Sequence, residues 1–438
     1  MRTTLSILAA WLLLGARSPL SAQTLRIYHI DVDQGAATLF VTPGGRTLLV
    51  DSGKDGHGTR IRAVMQQAGA SQIDHFVATH YHEDHFGGID ELRAAPAITI
   101  AHAYDRGDTL FVPADRRAKP TFRAYQAAVG RFAEALTRGE TIPLDPAMTV
   151  TCISAGGAVL SEQNPPPPGN DENDMSVSLL ITFGDFRYFI GGDIETPTET
   201  KIAARDLVMD VDMYEADHHG ADNGSSAAFL SDLRPTVIVI SNGSNATYEH
   251  PRQTTLNRMA ALSPRPAVFQ TNKYLRTGDA GGNVADSLIA DLESRDADGT
   301  ILVTVNPATG AFIVTYRHQS HTFQVKQRPP ATRVVIASLL PDPVDSDSDR
   351  EEVTLRNAGA AAVALTGWVL RDTSGRVWAL TSLGTLAAGQ ATAIRRNGMP
   401  MTLNNNGDEI VLLDSGGAEQ DRFRYTSSQE GVPITTGH

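Results

Sequence analysis

The sequence predicts an α/β domain over residues 24–318 and a β-sandwich over residues 333–438. In the first region, short runs rich in valine, isoleucine and leucine alternate with stretches whose apolar residues recur at helical spacing. In the second region, strand-like runs follow one another closely and are separated by glycine, asparagine and aspartate turns. Residues 319–332 contain Gln327-Arg328-Pro329-Pro330, which is typical of a short stiff linker. A chain of 438 residues is long enough for two such domains.

Composition and charge indicate a folded, acidic protein. Hydrophobic residues make up 41% of the chain and charged residues 20%, which is ordinary for a globular protein and excludes wholesale disorder. The formal net charge of −13 argues against electrostatic binding of nucleic acid over a large part of the surface. A local basic groove is compatible with this charge. Cys152 is the only cysteine, so no intramolecular disulfide can form.

The N-terminus has the pattern of a secretory signal peptide over residues 1–22. Arg2 precedes the mostly apolar run Leu5–Leu14, and small residues follow at Ser18–Ala22. The apolar run is too short for a permanent membrane-spanning helix, and no other apolar stretch is long enough for one. We therefore expect an exported protein, periplasmic or extracellular, with no membrane span after cleavage.

The first predicted elements build a sheet with a helix upon it. Leu25–Ile30 alternates like a strand, and Ala37–Val41 and Thr47–Val50 form a hairpin around the turn Pro43-Gly44-Gly45. Asp51 stands at the end of the second hairpin strand. A helix follows, predicted from four apolar residues at helical spacing: Ile61, Val64, Met65 and Ala68.

The next strand, Ile73–Thr79, leads into a stretch that holds three imidazoles and two carboxylates within six residues, His80 to His85. Side chains alternate along an extended segment, so His80, His82 and Asp84 can point to one side. The turn into the following helix brings His85 toward the same pocket. Imidazole and carboxylate are ligands that zinc prefers, and such a site usually takes about four of them. This stretch predicts a metal centre.

The spacing H-x-H-x-D-H after a strand resembles the signature of the metallo-β-lactamase superfamily. The resemblance implies an αββα sandwich that binds one or two metals and hydrolyses esters, amides or phosphodiesters. It also implies that Asp51 supports the metal loop from behind, without binding a metal itself. Asp193, which follows the predicted strand Phe186–Ile190 and two glycines, corresponds to the carboxylate that bridges two metals.

Four further stretches resemble the ComEC-type subfamily. Asp31–Gly35 is similar to its D-V-G-Q-G motif, with Asp33 in place of the first glycine. Asp217–Gly220 is similar to its H-H-G motif, from which we favour His219 as ligand of the second metal and His218 as the group that reaches the substrate or its leaving group. The N-x-x-S and S-x-G-x-N…H-P motifs imply four residues on the substrate side: Asn173, Ser176, Asn245 and His250.

One departure from the superfamily concerns the first metal. Many members have a third histidine for it, but between His85 and Asp193 the only histidine is His102, which lies too early in the chain. Asn173-Asp174 occupies the corresponding place. The resemblance therefore implies two divalent ions, with zinc favoured and manganese as the alternative. The first site would be weak, with a water beside three protein ligands: His80, His82 and Asp193.

Residues 101–142 are predicted to form an insertion in the regular alternation of strands and helices. They include a predicted helix around Phe122–Leu136. Insertions of this kind usually shape a substrate cleft.

The C-terminal region resembles a lamin tail domain, which is an immunoglobulin-like module. The resemblance rests on the G-W-x-L-x-D string within Leu365–Asp372 and on the N-x-G-D stretch Asn405–Asp408. Trp368 is expected in the core of this module. The resemblance implies that the module tethers the hydrolase to a cell surface or to another protein.

The resemblances together imply hydrolysis by a metal-bound hydroxide. Asp84 would bind the second metal and orient that hydroxide, and His218 or His250 would protonate or hydrogen-bond the departing oxygen. A phosphodiester is the leading substrate, in DNA or a related phosphate ester, because ComEC-type relatives are associated with DNA handling. The alternatives are a phosphocholine ester, a carboxylic ester or lactone, and a non-catalytic cell-surface binding protein.

Overall fold

The structure is a computed structural model. It describes residues 24–94, 97–107, 112–162, 165, 171–244, 247–276, 280–293, 299–327, 334–344, 349–359 and 362–437. The predicted signal peptide and Asn245 lie outside the described residues. No helix within these ranges is both long enough and apolar enough to cross a membrane.

The first domain alternates strands with short helices. Its strands are β1 Leu25–His29, β2 Thr38–Val41, β3 Thr47–Val50, β4 Gln72–Val77, β5 Thr99–Asp105, β6 Glu134–Ala135, β7 Met148–Ala155, β8 Ala158–Val159, β9 Ser178–Phe183, β10 Phe186–Ile190, β11 Met213–Glu215, β12 Val237–Ile240, β13 Ala267–Asn272, β14 Ile289–Asp291, β15 Ile301–Asn306, β16 Ala311–Tyr316 and β17 Gln319–Gln324. Its α-helices are α1 Gly58–Ala68, α2 Glu83–Phe86, α3 Ile89–Arg93, α4 Ala114–Ala118, α5 Pro120–Tyr125, α6 Thr196–Ala203, α7 Ala227–Leu233 and α8 Gln253–Ala260.

These strands form two mixed sheets. The first has the order β17-β16-β15-β1-β2-β3-β4-β5-β6, and the second has the order β14-β13-β12-β11-β10-β9-β7-β8. The hairpin β2–β3 is antiparallel, as predicted, whereas β3, β4 and β5 run parallel. Strands β10 to β14 also run parallel. The carboxyl ends of the parallel strands therefore share one edge in each sheet.

Alternating side chains along the strands define the layers. Leu48 and Val50 of β3 point into the core between the two sheets, while Leu49 packs with Ile61 of α1 on the outer face. On the other side, Phe189 of β10 packs with residues of α6, α7 and α8. The layer order is helix, sheet, sheet, helix, which confirms the predicted αββα sandwich.

Two segments differ from the sequence-based expectation. The predicted linker begins inside a hairpin, because β17 pairs with β16 from Gln319 to Gln324. The predicted helix Phe122–Leu136 is shorter: α5 continues as one π-helical turn, Gln126–Gly130, and the edge strand β6 follows it. Gly130 ends the helical stretch, since glycine is a weak helix former.

The second domain is a β-sandwich, as predicted. Its strands are β18 Val334–Leu340, β19 Glu352–Asn357, β20 Val363–Ala364, β21 Val369–Arg371, β22 Val377–Ala379, β23 Thr385–Leu386, β24 Ala391–Arg395, β25 Asp408–Leu413, β26 Glu419–Tyr425 and β27 Ile434–Thr435. They form the sheets β24-β19-β18-β27 and β22-β21-β25-β26, with the pair β20–β23 beside them. Trp368 is buried in the core, as expected, together with Trp378.

Candidate metal centre

The site forms where loops leave the carboxyl ends of parallel strands in both sheets. Strand β4 leads into His80–His85, β10 leads into Asp193, and β11 leads into His218 and His219. Gly191 allows the last two loops to approach, because a Cβ at this position would lie 1.9 Å from Oδ1 of Asp217. The fold thus brings together residues that lie more than 130 positions apart in the sequence.

His85 and His219 direct their Nε2 atoms at each other. Nδ1 of His85 lies 2.7 Å from Oδ2 of Asp51, and Nδ1 of His219 lies 2.8 Å from the carbonyl oxygen of Ser241. Because these partners accept hydrogen bonds, each Nδ1 carries a proton, and a neutral ring then presents a lone pair at Nε2. The two Nε2 atoms are 3.1 Å apart. Two facing lone pairs at this distance would be relieved either by a proton shared between the rings or by a bound metal ion.

Asp193 supplies one carboxylate oxygen to each side of the site. Its Oδ1 lies 3.2 Å from Nε2 of His85 and 3.7 Å from Nε2 of His219. Its Oδ2 lies 3.7 Å from Nε2 of His80 and 3.9 Å from Nε2 of His218. The two oxygens of this carboxylate thus face different histidines, as those of a bridging ligand would.

The first metal position is bounded by His80 and His82. Nε2 of His80 lies 2.9 Å from Nδ1 of His82 and 3.7 Å from Oδ2 of Asp193. The third imidazole on this side belongs to His218. Asn173 stands where many superfamily members have that histidine, and it has no imidazole.

The second metal position is bounded by Asp84, His85 and His219. Oδ2 of Asp84 lies 3.7 Å from Nε2 of His219. Ligand atoms of these three residues lie within 4.8 Å of one another, as do those of His80, His85 and Asp193. These two ligand groups share His85, and their imidazoles and carboxylates fit the binding of divalent metal.

The protonation of the site also fits a cation. Burial alone would lower the pKa of His85, but the carboxylates of Asp193 and Asp51 raise it well above its ordinary value. Burial would raise the pKa of Asp193, but the surrounding histidines, above all His85, hold it well below its ordinary value. A proton on His85 therefore neutralises part of the acidic charge that a metal would neutralise when bound.

Asp51 supports the metal loop as expected. It accepts hydrogen bonds from the backbone nitrogen and the hydroxyl of Thr79, both at 2.8 Å, in addition to its contact with His85. These three contacts fix the carboxylate and, through it, the ring of His85. Partners of this kind orient metal ligands and increase their basicity.

Ser176 has a different place from the one that we expected. It is fully buried, and its hydroxyl accepts a hydrogen bond of 3.1 Å from the backbone nitrogen of Asp193. It therefore positions the bridging aspartate and does not face the substrate side. The motif identified the residue, but not the direction of its side chain.

The other predicted substrate-side residues lie around His218. The ring of His218 is partly exposed, and Nδ2 of Asn173 lies 3.4 Å from its Nε2. The ring centre of His250 lies 5.1 Å from that of His218. Burial, together with His219 and His218, lowers the pKa of His250 to about 3. His250 is thus neutral near pH 7, which suits hydrogen bonding rather than proton donation as a cation.

A buried charge cluster beside the metal loop was not predicted. Glu172 forms two hydrogen bonds to Arg106, at 2.6 and 2.7 Å, and an ion pair of 2.5 Å with Arg116. It also accepts a hydrogen bond from the backbone nitrogen of Tyr81. Arg116 in turn lies 3.2 Å from Nε2 of His82. The basic composition of residues 112–131 was the only sequence signal for it.

Glu215 is a second group that the sequence reading missed. It lies on β11, fully buried, and accepts hydrogen bonds from Thr38, Tyr188 and Ser241 at 2.7–3.0 Å. Burial would raise its pKa, but His29 and these donors lower it to about 2. A charged residue within the apolar strand before H-H-G was the available signal.

Two family models match this chain, one in each domain. A family model described as "Metallo-beta-lactamase superfamily" matches residues 30–185, and one described as "Lamin Tail Domain" matches residues 327–427. These matches support the resemblance of the chain to the metallo-β-lactamase superfamily and to ComEC-like proteins, with a C-terminal region similar to a lamin tail domain.

Three relatives align with the hydrolase region. The chain is 26% identical to ComE operon protein 3 of Bacillus subtilis over 47% of its length, 27% identical to Recombination protein 2 of Haemophilus influenzae over 55%, and 24% identical to Competence protein ComA of Neisseria gonorrhoeae over 53%. The alignments cover 24%, 27% and 29% of these proteins. The chain thus spans less than a third of the length of each relative.

Proposed function

We propose that this protein is a two-metal phosphodiesterase that acts on nucleic acid. The observation that carries the proposal is the position of Asp193, whose two carboxylate oxygens face two separate groups of metal ligands. Two-metal sites of this kind serve in-line displacement at phosphorus, because the pair of ions stabilises both the attacking and the leaving oxygen. The names of two relatives, Recombination protein 2 and Competence protein ComA, support nucleic acid as the substrate.

The ligand residues would divide into two sets. His80, His82 and Asp193 would hold the first ion, and Asp84, His85, His219 and Asp193 the second. Bound divalent ions lower the pKa of water and neutralise charge on a phosphate. Other residues of the chain hold the ligands in position. Asp51 fixes the ring of His85, the carbonyl oxygen of Ser241 fixes the ring of His219, and Ser176 fixes Asp193.

The substrate side is assigned to His218, with Asn173 and His250 around it. His218 is the least buried of the clustered histidines that face Asp193, and Nδ1 of its ring lies 3.1 Å from Oδ1 of Asn223. It can donate a hydrogen bond or a proton to a departing oxygen. His250, which is neutral near pH 7, can orient the substrate through its N–H group.

The test combines metal content with turnover of bis(p-nitrophenyl) phosphate, on protein reconstituted with zinc or manganese. We expect metal-dependent turnover that falls on the order of a hundredfold or more in His82→Ala, a larger loss than removal of an outer partner would cause. His102→Ala, which changes an exposed histidine of β5, is the matched control and should leave turnover intact. Bound metal with hydrolysis of p-nitrophenyl acetate alone would contradict the phosphodiester assignment.

We further propose that the protein acts in the periplasm or outside the cell. The support is the signal-peptide pattern of residues 1–22. Intact-mass analysis of protein from the periplasmic and culture fractions tests this. A chain that begins at Gln23 is the expected result, and uncleaved chain confined to the cytoplasm would contradict it.

A further inference from the structure

We propose that residues 112–131 form a pocket that binds backbone phosphates of a single-stranded nucleic acid beside the metal centre. This pocket, here called the arginine pocket, has a volume of about 430 Å³ and is lined by Arg117, Arg123 and Arg131, with Phe122 and Gln126. The proposal rests on the proposed function for its substrate class. It adds a second contact region, which would hold phosphates that flank the scissile one.

The local charge is opposite to that of the whole protein. Residues 112–131 contain five basic residues and one acidic residue, Asp115, whereas the whole chain has 50 acidic and 37 basic residues. Among the described residues that line the arginine pocket, none is acidic. A compact positive region on an acidic surface attracts a polyanion locally and repels it elsewhere.

The three arginines are available to a ligand. Arg117, Arg123 and Arg131 are exposed, and their guanidinium groups form no ion pair or hydrogen bond with any described residue. By contrast, Arg106 and Arg116 on the inner side are both paired with Glu172. Arginine presents a planar fork of donors that matches phosphate oxygens.

The arginine pocket adjoins the metal loop directly. Phe122, which lines the pocket, packs edge-on against Tyr81, with ring centres 5.3 Å apart, and Tyr81 stands between His80 and His82. Thr121 donates a hydrogen bond of 3.3 Å to Glu83 in the metal loop. Arg116, which precedes Arg117 of the pocket in α4, lies 3.2 Å from Nε2 of His82, so α4 carries the pocket arginine beside the metal loop.

Size and an exposed aromatic ring favour a nucleotide over a small anion. Ligand sites commonly have volumes of about 300–1,000 Å³, a range that includes the arginine pocket. Phe132 follows Arg131, and its side chain is 42% exposed. Basic grooves that carry exposed aromatic rings are typical of proteins that bind single strands, because bases stack on the rings.

The test compares two substrates and one binding measurement. The variant Arg117→Gln/Arg123→Gln/Arg131→Gln is set against Arg265→Gln/Arg317→Gln/Arg376→Gln, which removes three exposed arginines elsewhere. Turnover is measured on an oligodeoxythymidylate and on bis(p-nitrophenyl) phosphate, which has no flanking phosphate. Binding of the fluorescein-labelled oligonucleotide is measured by anisotropy at several salt concentrations in a His82→Ala background, where cleavage does not interfere.

We expect the turnover of the pocket variant to fall on the order of tenfold more with the oligonucleotide than with bis(p-nitrophenyl) phosphate. The plot of the logarithm of the oligonucleotide binding constant against the logarithm of the salt concentration should become less steep, by about two in its slope. The control triple variant should behave like the parent. Equal losses of turnover on both substrates, or unchanged binding of the oligonucleotide, would contradict the proposed role of the arginine pocket. If the parent hydrolyses neither substrate but the pocket variant loses binding, the pocket stands and the proposed function fails. Binding to anionic lipid vesicles without oligonucleotide binding would also overturn it.

Discussion

At the scale of single residues, the site depends on groups that hold the ligands rather than on the ligands alone. His85 and His219 each have one ring nitrogen occupied by a fixed acceptor, which determines the nitrogen left for metal. The candidate ligands could be proposed from the sequence because four of them lie within six residues and the others follow strand ends. The inward direction of Ser176 was not predictable, since it depends on a hydrogen bond to a strand end 17 positions away.

Asp51→Asn should weaken metal binding by about 10–100-fold, because the neutral amide no longer fixes the tautomer of His85. Isothermal titration with zinc or manganese measures this affinity. Asp74→Asn is the matched control: Asp74 is also buried beside β3, but it accepts hydrogen bonds from Thr47 and Gln72 away from the site. Equal losses in both variants would contradict a specific role for Asp51.

Metal affinity should fall as the pH falls, because a metal must displace the proton on His85. The pKa of this histidine in the metal-free fold is raised well above its ordinary value by Asp193 and Asp51. A proton therefore competes with the metal for His85 even above pH 6.5, which is the ordinary pKa of histidine. This competition is strongest at acidic pH. For one displaced proton, the dissociation constant should rise about tenfold per pH unit as the pH decreases. An affinity that is constant between pH 8 and pH 6 would contradict this.

At the scale of elements, the order of strands and helices follows from hydrophobic periodicity, and the hairpin β2–β3 and the strand β4 were predictable with nearly correct bounds. In the sequence, residues 101–142 were recognisable only as an irregular segment. Its cluster joins Arg106, Arg116 and Glu172, and the pairing of side chains up to 66 positions apart leaves no local pattern in the sequence. This cluster connects α4 to the metal loop.

Glu172→Ala should lower the free energy of unfolding by about 3–5 kcal/mol, because it leaves Arg106 buried without its partner. Urea denaturation measures the change. Glu83→Ala is the control, because Glu83 pairs with Lys119 at 3.2 Å but is 43% exposed. The control should cost about 0–1 kcal/mol. Similar values for the two variants would show that the cluster is not effectively buried.

At the scale of the whole molecule, the two domains share one contiguous buried apolar cluster, which includes Leu230 of α7 and Trp378 of the sandwich. Arg205 also donates a hydrogen bond of 3.3 Å to Thr426 across the domains. The separate fold of each domain was predictable from its own pattern. Their contact was not, because complementary surfaces leave no periodic signal.

Trp378→Ala should destabilise the second domain by about 3–5 kcal/mol, because the indole is fully buried and donates a hydrogen bond to Met401. Turnover of bis(p-nitrophenyl) phosphate per folded molecule should remain, since every proposed ligand lies in the first domain. Val432→Ala, a change at a 37% exposed position, should cost less than about 0.5 kcal/mol. Loss of turnover in folded Trp378→Ala protein would show that the sandwich contributes to the site.

The most direct test of the central claim is the ratio of metal to protein, measured by mass spectrometry after reconstitution and removal of free metal. The parent protein should hold about two ions per chain, and Asp193→Ala should hold one or fewer, because the bridging carboxylate serves both positions. A parent protein that holds at most one ion in excess metal, or an Asp193→Ala variant that still holds two, would contradict the two-metal site.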